Sequence, residues 1–297
     1  MEQIQNNRVI TDLYRENAQF PGIALDGSDV YLCWQRFVDR HDSLMASCRR
    51  GDEVVWEREI SDGGEVLHPV ILAHGGAIWY AWSEYARENW RILARCYRDG
   101  QWGEVLTVAS GEALFFPRLF TWQGKLHVIW TEQHKGSAAA VLCPLTEAGP
   151  GAAETVSVVG EAYRAGAAEG GDGNLYVAYD GFDGKQYKLF ARARTAAGWS
   201  EEIVVSQGED WASTPWIAAK PDGAVVGWYD YGYMAVYSVR SADLTVRDGA
   251  LAAVNPQCLK EGVDWYLDLH VASNSSGLQA MAYTRSKYDV LVCTRRG

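Results

Sequence analysis

Residues 116–130 read FPRLFTWQGKLHVIW, two short apolar runs joined by a polar turn that contains Gly124. The chain repeats this pattern six times. Residues 20–34 read FPGIALDGSDVYLCW, 68–82 HPVILAHGGAIWYAW, 163–179 YRAGAAEGGDGNLYVAY, 214–228 TPWIAAKPDGAVVGW and 266–283 YLDLHVASNSSGLQAMAY. The segments close on Trp34, Trp82, Trp130, Tyr179, Trp228 and Tyr283, spaced 48, 48, 49, 49 and 55 residues apart. Five to seven residues ahead of each stands a glycine: Gly27, Gly76, Gly124, Gly173, Gly223 and Gly277. A glycine there suits a tight turn with positive φ, and the β-branched and aromatic run behind it suits a strand.

A period near 49 residues in a chain of 297 makes six units, and repeats of that length point to a propeller or solenoid. Each unit has room for four strands. The second reads PVILA, AIWYAW, WRILARCYR and QWGEVLTV, with Asp99-Gly100 as its last turn. The outer strand carries its own echo in Trp56, Trp102 and Trp199. The last unit stops after its third strand, residues 289–297, while residues 7–13 (NRVITDL) form a lone strand at the other end. The expectation is one all-β domain over residues 1–297. It is a six-bladed β-propeller of four-stranded blades, its ring closed by the N-terminal strand completing the last blade.

Composition narrows the function. A hydrophobic content of 48% is ample for a core, and no apolar run is long enough for a membrane-spanning helix. A net charge of −11 disfavours generic binding to nucleic acid or acidic membranes, so neither is expected as a partner. The opening residues MEQIQNNRVITDL lack the basic and apolar regions of a secretion signal, which points to the cytoplasm. Of the six cysteines, Cys48, Cys96, Cys143 and Cys293 share one repeat position, where Ala193 and Ser238 stand in the other units. That alternation describes a small buried side chain, so the cysteines are expected free and reduced. No ligand spacing for zinc and no phosphate or dinucleotide fingerprint is present, so no metal and no cofactor is expected.

The repeat, with residues 20–34 as its pattern and a Gly-x-Trp hairpin behind it, resembles the sialidase (bacterial neuraminidase repeat) superfamily of six-bladed propellers. The resemblance spans nearly the whole chain as architecture. Arg98-Asp99-Gly100-Gln101-Trp102 and Ala197-Gly198-Trp199 keep parts of that family's Asp-box hairpin. The family's Phe-Arg-Ile-Pro entry motif is absent, with Phe116-Pro117-Arg118-Leu119 and Tyr163-Arg164 as echoes. The resemblance therefore implies the fold and a bias towards carbohydrate, and no catalytic residue is carried over from it.

Two rings of repeat positions break the sixfold pattern and mark where a site would be. The position after the proline of each first strand gives Gly22, Val70, Arg118, Ala165, Trp216 and Asp268. The second position past each closing aromatic gives Arg36, Glu84, Glu132, Gly181, Asp230 and Arg285. One lopsided pocket is expected, with Glu84, Glu132, Asp230 and Asp268 as candidate catalytic carboxylates facing arginines. Paired carboxylates suit glycosidic bond chemistry, and Arg36, Arg118, Arg164 and Arg285 suit an anionic group. His68 flanks the same entrance, while Trp211, Trp216 and Tyr231 offer faces for a sugar ring. A glutamate recurs between units, at Glu16, Glu65, Glu112, Glu161, Glu209 and Glu261, and repetition there favours a structural contact to backbone N–H groups. The ligand expected is a small molecule or oligosaccharide. The readings are a glycosidase or lyase, a non-catalytic sugar-binding propeller, and a protein-interaction scaffold.

Overall fold

A computed structural model describes residues 17–61, 63–232 and 237–263, and the strand backbones of 269–273, 278–286 and 289–296. The chain divides into two compact units, Met1–Ser110 and Gly111–Gly297. Among the described residues every regular element is a strand, and the strands form six antiparallel sheets.

The first unit holds two sheets. Sheet one runs β1 (Asn17–Asp26), β2 (Asp29–Val38), β3 (His41–Arg50) and β4 (Glu53–Glu59). Sheet two runs β5 (Glu65–His74), β6 (Ala77–Ala86), β7 (Asn89–Arg98) and β8 (Gln101–Trp102), with β9 (Leu106–Gly111) also on β7. Leu44, Ala46, Ile78, Tyr80, Trp82 and Leu93 fill the space between these sheets.

The second unit repeats the plan. Sheet three is β10 (Ala113–Trp122), β11 (Lys125–His134), β12 (Ser137–Thr146), β13 (Gly149–Pro150) and β14 (Glu154–Thr155). Sheet four is β15 (Ala162–Glu169), β16 (Leu175–Phe182), β17 (Tyr187–Thr195), β18 (Gly198–Trp199) and β19 (Ile203–Val204). Sheet five is β20 (Trp211–Lys220), β21 (Gly223–Tyr231), β22 (Tyr237–Arg247) and β23 (Ala250–Val263). Sheet six is β24 (Leu269–Ser273), β25 (Leu278–Ser286) and β26 (Asp289–Arg296). The strand expected at residues 7–13 lies outside the described residues.

The second strands β6, β16 and β21 are buried along nearly their whole length, having strands on both edges. All but the last two residues of β6 are buried, and Trp82, Trp130 and Trp228 are at most 2% exposed. Truncating one such indole to alanine would cost about 3–5 kcal/mol. The turn in the opening stretch has positive φ at both Gln123 (49°) and Gly124 (70°), the twist that suits a two-residue hairpin.

The outer strand is less regular than its repeat pattern implies. In sheets two, three and four it breaks into two short pieces. In sheets two and four an arginine of the third strand sits at the break. Arg95 donates from Nε to the Gly103 carbonyl at 2.8 Å, lies 5.1 Å over Trp102, and reaches the Ile60 carbonyl of sheet one at 3.5 Å. Arg192 does the same in sheet four, with Ser200 at 2.9 Å, Trp199 at 5.3 Å and the Val156 carbonyl of sheet three at 2.8 Å. In these two sheets the tryptophan thus covers an arginine that ties the sheet to the one before it.

Four of the cysteines behave as small core residues, while Cys258 is exposed. Cys33, Cys48, Cys96 and Cys143 are free and buried, and burial pushes Cys33 up to about 12 and Cys143 up to about 11. No helix of the described residues is long and apolar enough to cross a membrane.

Candidate functional site

The first strand of five sheets carries the same irregularity. Register shifts fall between Gln19 and Gly22, Leu67 and Val70, Phe115 and Arg118, Tyr163 and Gly166, and Ser213 and Trp216. Inside each bulge one non-glycine residue has positive φ: Phe20, His68, Phe116, Arg164 and Thr214. Four of these precede a proline, where the chain ordinarily prefers extended geometry, and each such residue costs on the order of 1–3 kcal/mol. A bulge re-aims the side chains that follow it. The bulge also corrects the sequence alignment of the fourth repeat. Gly166, and not Ala165, stands where Arg118 and Trp216 stand, because Arg164 takes the place of Phe116.

That correction explains the central geometry of the second unit. β15 packs between β10 and β20. Its residue at the shared position, Gly166, has no side chain, and a Cβ there would already press on Ile217 at 3.2 Å. Arg118 from β10 therefore reaches Trp216 on β20, with its guanidinium carbon 3.7 Å from the indole centroid. Among the described residues no carboxylate pairs with Arg118. Part of the side chain remains accessible, yet the guanidinium is enclosed deeply enough that burial alone pushes it down to about 9. Cation–π attraction of about 0.5–2 kcal/mol offsets only part of that desolvation.

The expected carboxylates are arranged differently from the single facing set read from the sequence. Glu84 is 0% exposed, accepts a hydrogen bond from Trp82 Nε1 at 3.2 Å and ion-pairs with Arg91, its direct cross-strand partner on β7. Asp230 is 2% exposed, accepts from Trp228 Nε1 at 2.7 Å and ion-pairs with Arg240 on β22. Burial pushes Asp230 up to about 6, against the opposing pull of Trp228 and Arg240. Arg164 closes on Asp180, a wholly buried carboxylate of β16, and Arg36 pairs with Glu59 at 3.1 Å. Glu132 is exposed and lines a shallow cleft with His134, Ser137, Ala139 and Thr155. His68 meets Phe20 edge to face at 5.0 Å. Asp268 lies outside the described residues, and Arg285 is placed on β25 by its backbone alone.

Two of the expected aromatic faces, Trp211 and Tyr231, belong to a run, while Trp216 meets Arg118. Tyr163, Tyr187, Trp211, Tyr231 and Tyr237 follow one another at centroid distances of 6.2, 5.6, 6.4 and 4.6 Å, with Phe182 5.5 Å from Tyr187. Each keeps part of its ring accessible, and Trp211 is 46% exposed. A comparable face in the first unit is Tyr85, 41% exposed and 5.3 Å from Trp90. It borders a cleft of about 420 Å³ lined by Gly63, Gly64, Glu65, Arg87 and Arg91. Of the recurring glutamates, Glu65 makes the expected contact, accepting the Asp42 N–H of sheet one at 3.0 Å. Glu112 instead meets the His134 ring at 2.9 Å.

Sequence reasoning missed Arg91, Arg240 and Asp180. The signal for Arg91 was the Trp-x-acid triplet of residues 82–84, with an arginine placed opposite Glu84 by the two-residue turn that follows.

No protein-family model matches the chain, and no curated protein matches it in sequence. Solved structures do match in shape. A polysaccharide lyase of a new family, an ulvan lyase, is 8% identical with a TM-score of 0.60, over 97% of this chain and 80% of that one. The subtype N10 neuraminidase-like protein of A/little yellow-shouldered bat/Guatemala/060/2010 is 8% identical with a TM-score of 0.58, over 90% and 89%. A puromycin-hydrolysing peptidase of Mycobacterium tuberculosis is 15% identical with a TM-score of 0.55, over 90% of this chain and 42% of that one. This chain thus spans less than half of that peptidase. At such identities the likeness is one of fold, and the fold is that of the β-propellers.

Proposed function

We propose that this chain is a saccharide-binding propeller whose second unit receives the acidic group of a sugar on Arg118. The observation that carries the reading is a desolvated guanidinium stacked on Trp216 with no carboxylate beside it among the described residues. A buried charge without a counter-ion is costly, and a ligand carboxylate or sulfate would relieve that cost through charge-assisted hydrogen bonds. The ring faces of Tyr163, Tyr187 and Trp211 would carry the sugar rings. Fold-level support comes from the lyase and neuraminidase-like neighbours, the lyase having also been solved with a bound -[GlcA(1-4)Rha3S]- unit. In this reading the six sheets are six blades, and the strand at residues 7–13 completes the last of them.

The test is calorimetric titration with oligogalacturonate, oligoalginate and sialyllactose, each beside its carboxyl-reduced counterpart. Binding of at least one acidic form, at least tenfold tighter than its reduced form and lost in Arg118→Met, is the expected result. Equal affinity for the acidic and reduced forms would rule the reading out.

A further inference from the structure

Two sheets carry the same four-part assembly. In sheet two the Trp82 indole N–H and the Arg91 guanidinium converge on buried Glu84, and Tyr85 follows with its ring against Trp90. In sheet five the Trp228 indole N–H and the Arg240 guanidinium converge on buried Asp230, and Tyr231 follows with its ring against Tyr237. The two arginine side chains are 31% and 36% exposed over carboxylates that are 0% and 2% exposed, and the Nε of each is buried, in Arg91 with no hydrogen-bond partner among the described residues.

The repeat does not demand this arrangement. Sheet one reads Trp34-Gln35-Arg36-Phe37 at the same place, and sheet three reads Trp130-Thr131-Glu132-Gln133. In both, the indole nitrogen is buried with no acceptor among the described residues, at a cost of about 1–3 kcal/mol each. Glu132 stays exposed although the triplet is the same, because Ala139 stands opposite it where Arg91 stands opposite Glu84. Sheet four reads Tyr179-Asp180-Gly181-Phe182 and draws its arginine from its first strand. The full assembly belongs to sheets two and five, which separates it from the common scaffold.

Its chemistry differs from that of Arg118. A buried carboxylate fixes each guanidinium in one orientation and cancels its charge. The remaining N–H groups are then oriented donors with no net pull on an anion, which suits neutral acceptors such as hydroxyl and ring oxygens. The adjacent tyrosine face suits the C–H side of a pyranose. In sheet two these groups share the cleft of about 420 Å³, and the Gly63-Gly64 turn closes down on the carboxylate. A Cβ on Gly64 would collide with the Glu84 side chain, so the backbone approaches as near as glycine permits. Glu65, the one other carboxylate on the cleft wall, is already engaged with the Asp42 N–H at 3.0 Å.

We propose that these two assemblies are like sites for neutral saccharide rings, one in each unit, separate from the acidic-group site at Arg118. The probes are cellohexaose, mannohexaose and maltohexaose titrated into the full chain. At least one should bind with a stoichiometry of two. Tyr85→Ala and Tyr231→Ala should each leave one site, with the altered site weakened more than tenfold, while Tyr→Phe at either position retains both. Independently of any variant, the indole N–H resonances of Trp82 and Trp228 should both shift on titration, since each reads the carboxylate beneath its arginine. Both effects should persist in Arg118→Met, whose loss of acidic-ligand binding tests the other site alone. Binding of none of the three hexaoses would overturn the proposal. So would a single site abolished by Arg118→Met, or two sites untouched by both alanine variants.

Discussion

Asp230 is a carboxyl whose burial and partners pull in opposite directions. Desolvation dominates and lifts it from the ordinary 3.8 to about 6, while the Trp228 N–H and Arg240 favour the charged form. A folded value above the unfolded one means that the folded state binds the proton more tightly. The stability this contributes is fully present below about 3.8 and is lost as pH rises through about 6. A carboxyl-carbon NMR titration should therefore find an aspartate midpoint near 6 that is absent from Asp230→Asn, and a midpoint near 3.8 would mean that the ion pair outweighs burial. At this scale legibility was uneven. Arg118 was marked in the sequence because five counterparts differ from it. Arg91 was recoverable in principle, since a two-residue turn at Arg87-Glu88 puts it opposite Glu84. Arg240 was not, because it lies opposite Trp228 and reaches Asp230 only diagonally.

At the scale of the element, the third-strand arginines do more for stability than their exposed surroundings imply. Arg192 makes two hydrogen bonds to carbonyls in two sheets and covers Trp199, so Arg192→Ala orphans two acceptors and loses packing at once. Urea unfolding should show a loss of about 2–3 kcal/mol, with Arg192→Lys recovering less than half because an ammonium lacks the planar fork. A loss under about 0.5 kcal/mol would show that water replaces both bonds. The strands themselves were legible from alternation and from the glycine turns, such as Gly124. The bulges were not, since nothing in Phe116-Pro117 announces positive φ ahead of a proline, and the one-residue error at Ala165 followed from that. The split outer strands of sheets two and four were hidden for a related reason: the Gly103 and Ser200 carbonyls are each bonded to an arginine eight residues earlier.

At the scale of the molecule, the period of about 49 residues made the propeller class readable, because six similar units can bury their sheet faces only against one another. The pairing of charges was not readable, since it depends on which residues of adjacent strands come into register. The net charge of −11 has a kinetic consequence for an acidic ligand. Like-charge repulsion slows encounter at low ionic strength, and screening over a Debye length of about 8 Å at physiological salt relieves it. Stopped-flow association of an acidic oligosaccharide that binds should accelerate between roughly 10 and 150 mM salt, and a falling rate would place the ligand in a locally positive field instead. The central claim concerns the free energy of one buried charge, and thermal melts of the native chain and of Arg118→Met, with and without that ligand, address it most directly. The unliganded variant should melt higher, by an amount equivalent to about 1 kcal/mol or more, since an apolar side chain replaces a cation with no carboxylate partner among the described residues. The ligand should raise the melting temperature of the native chain and leave the variant's unchanged. A variant that melts lower than the native chain and is still stabilised by the ligand would contradict the account.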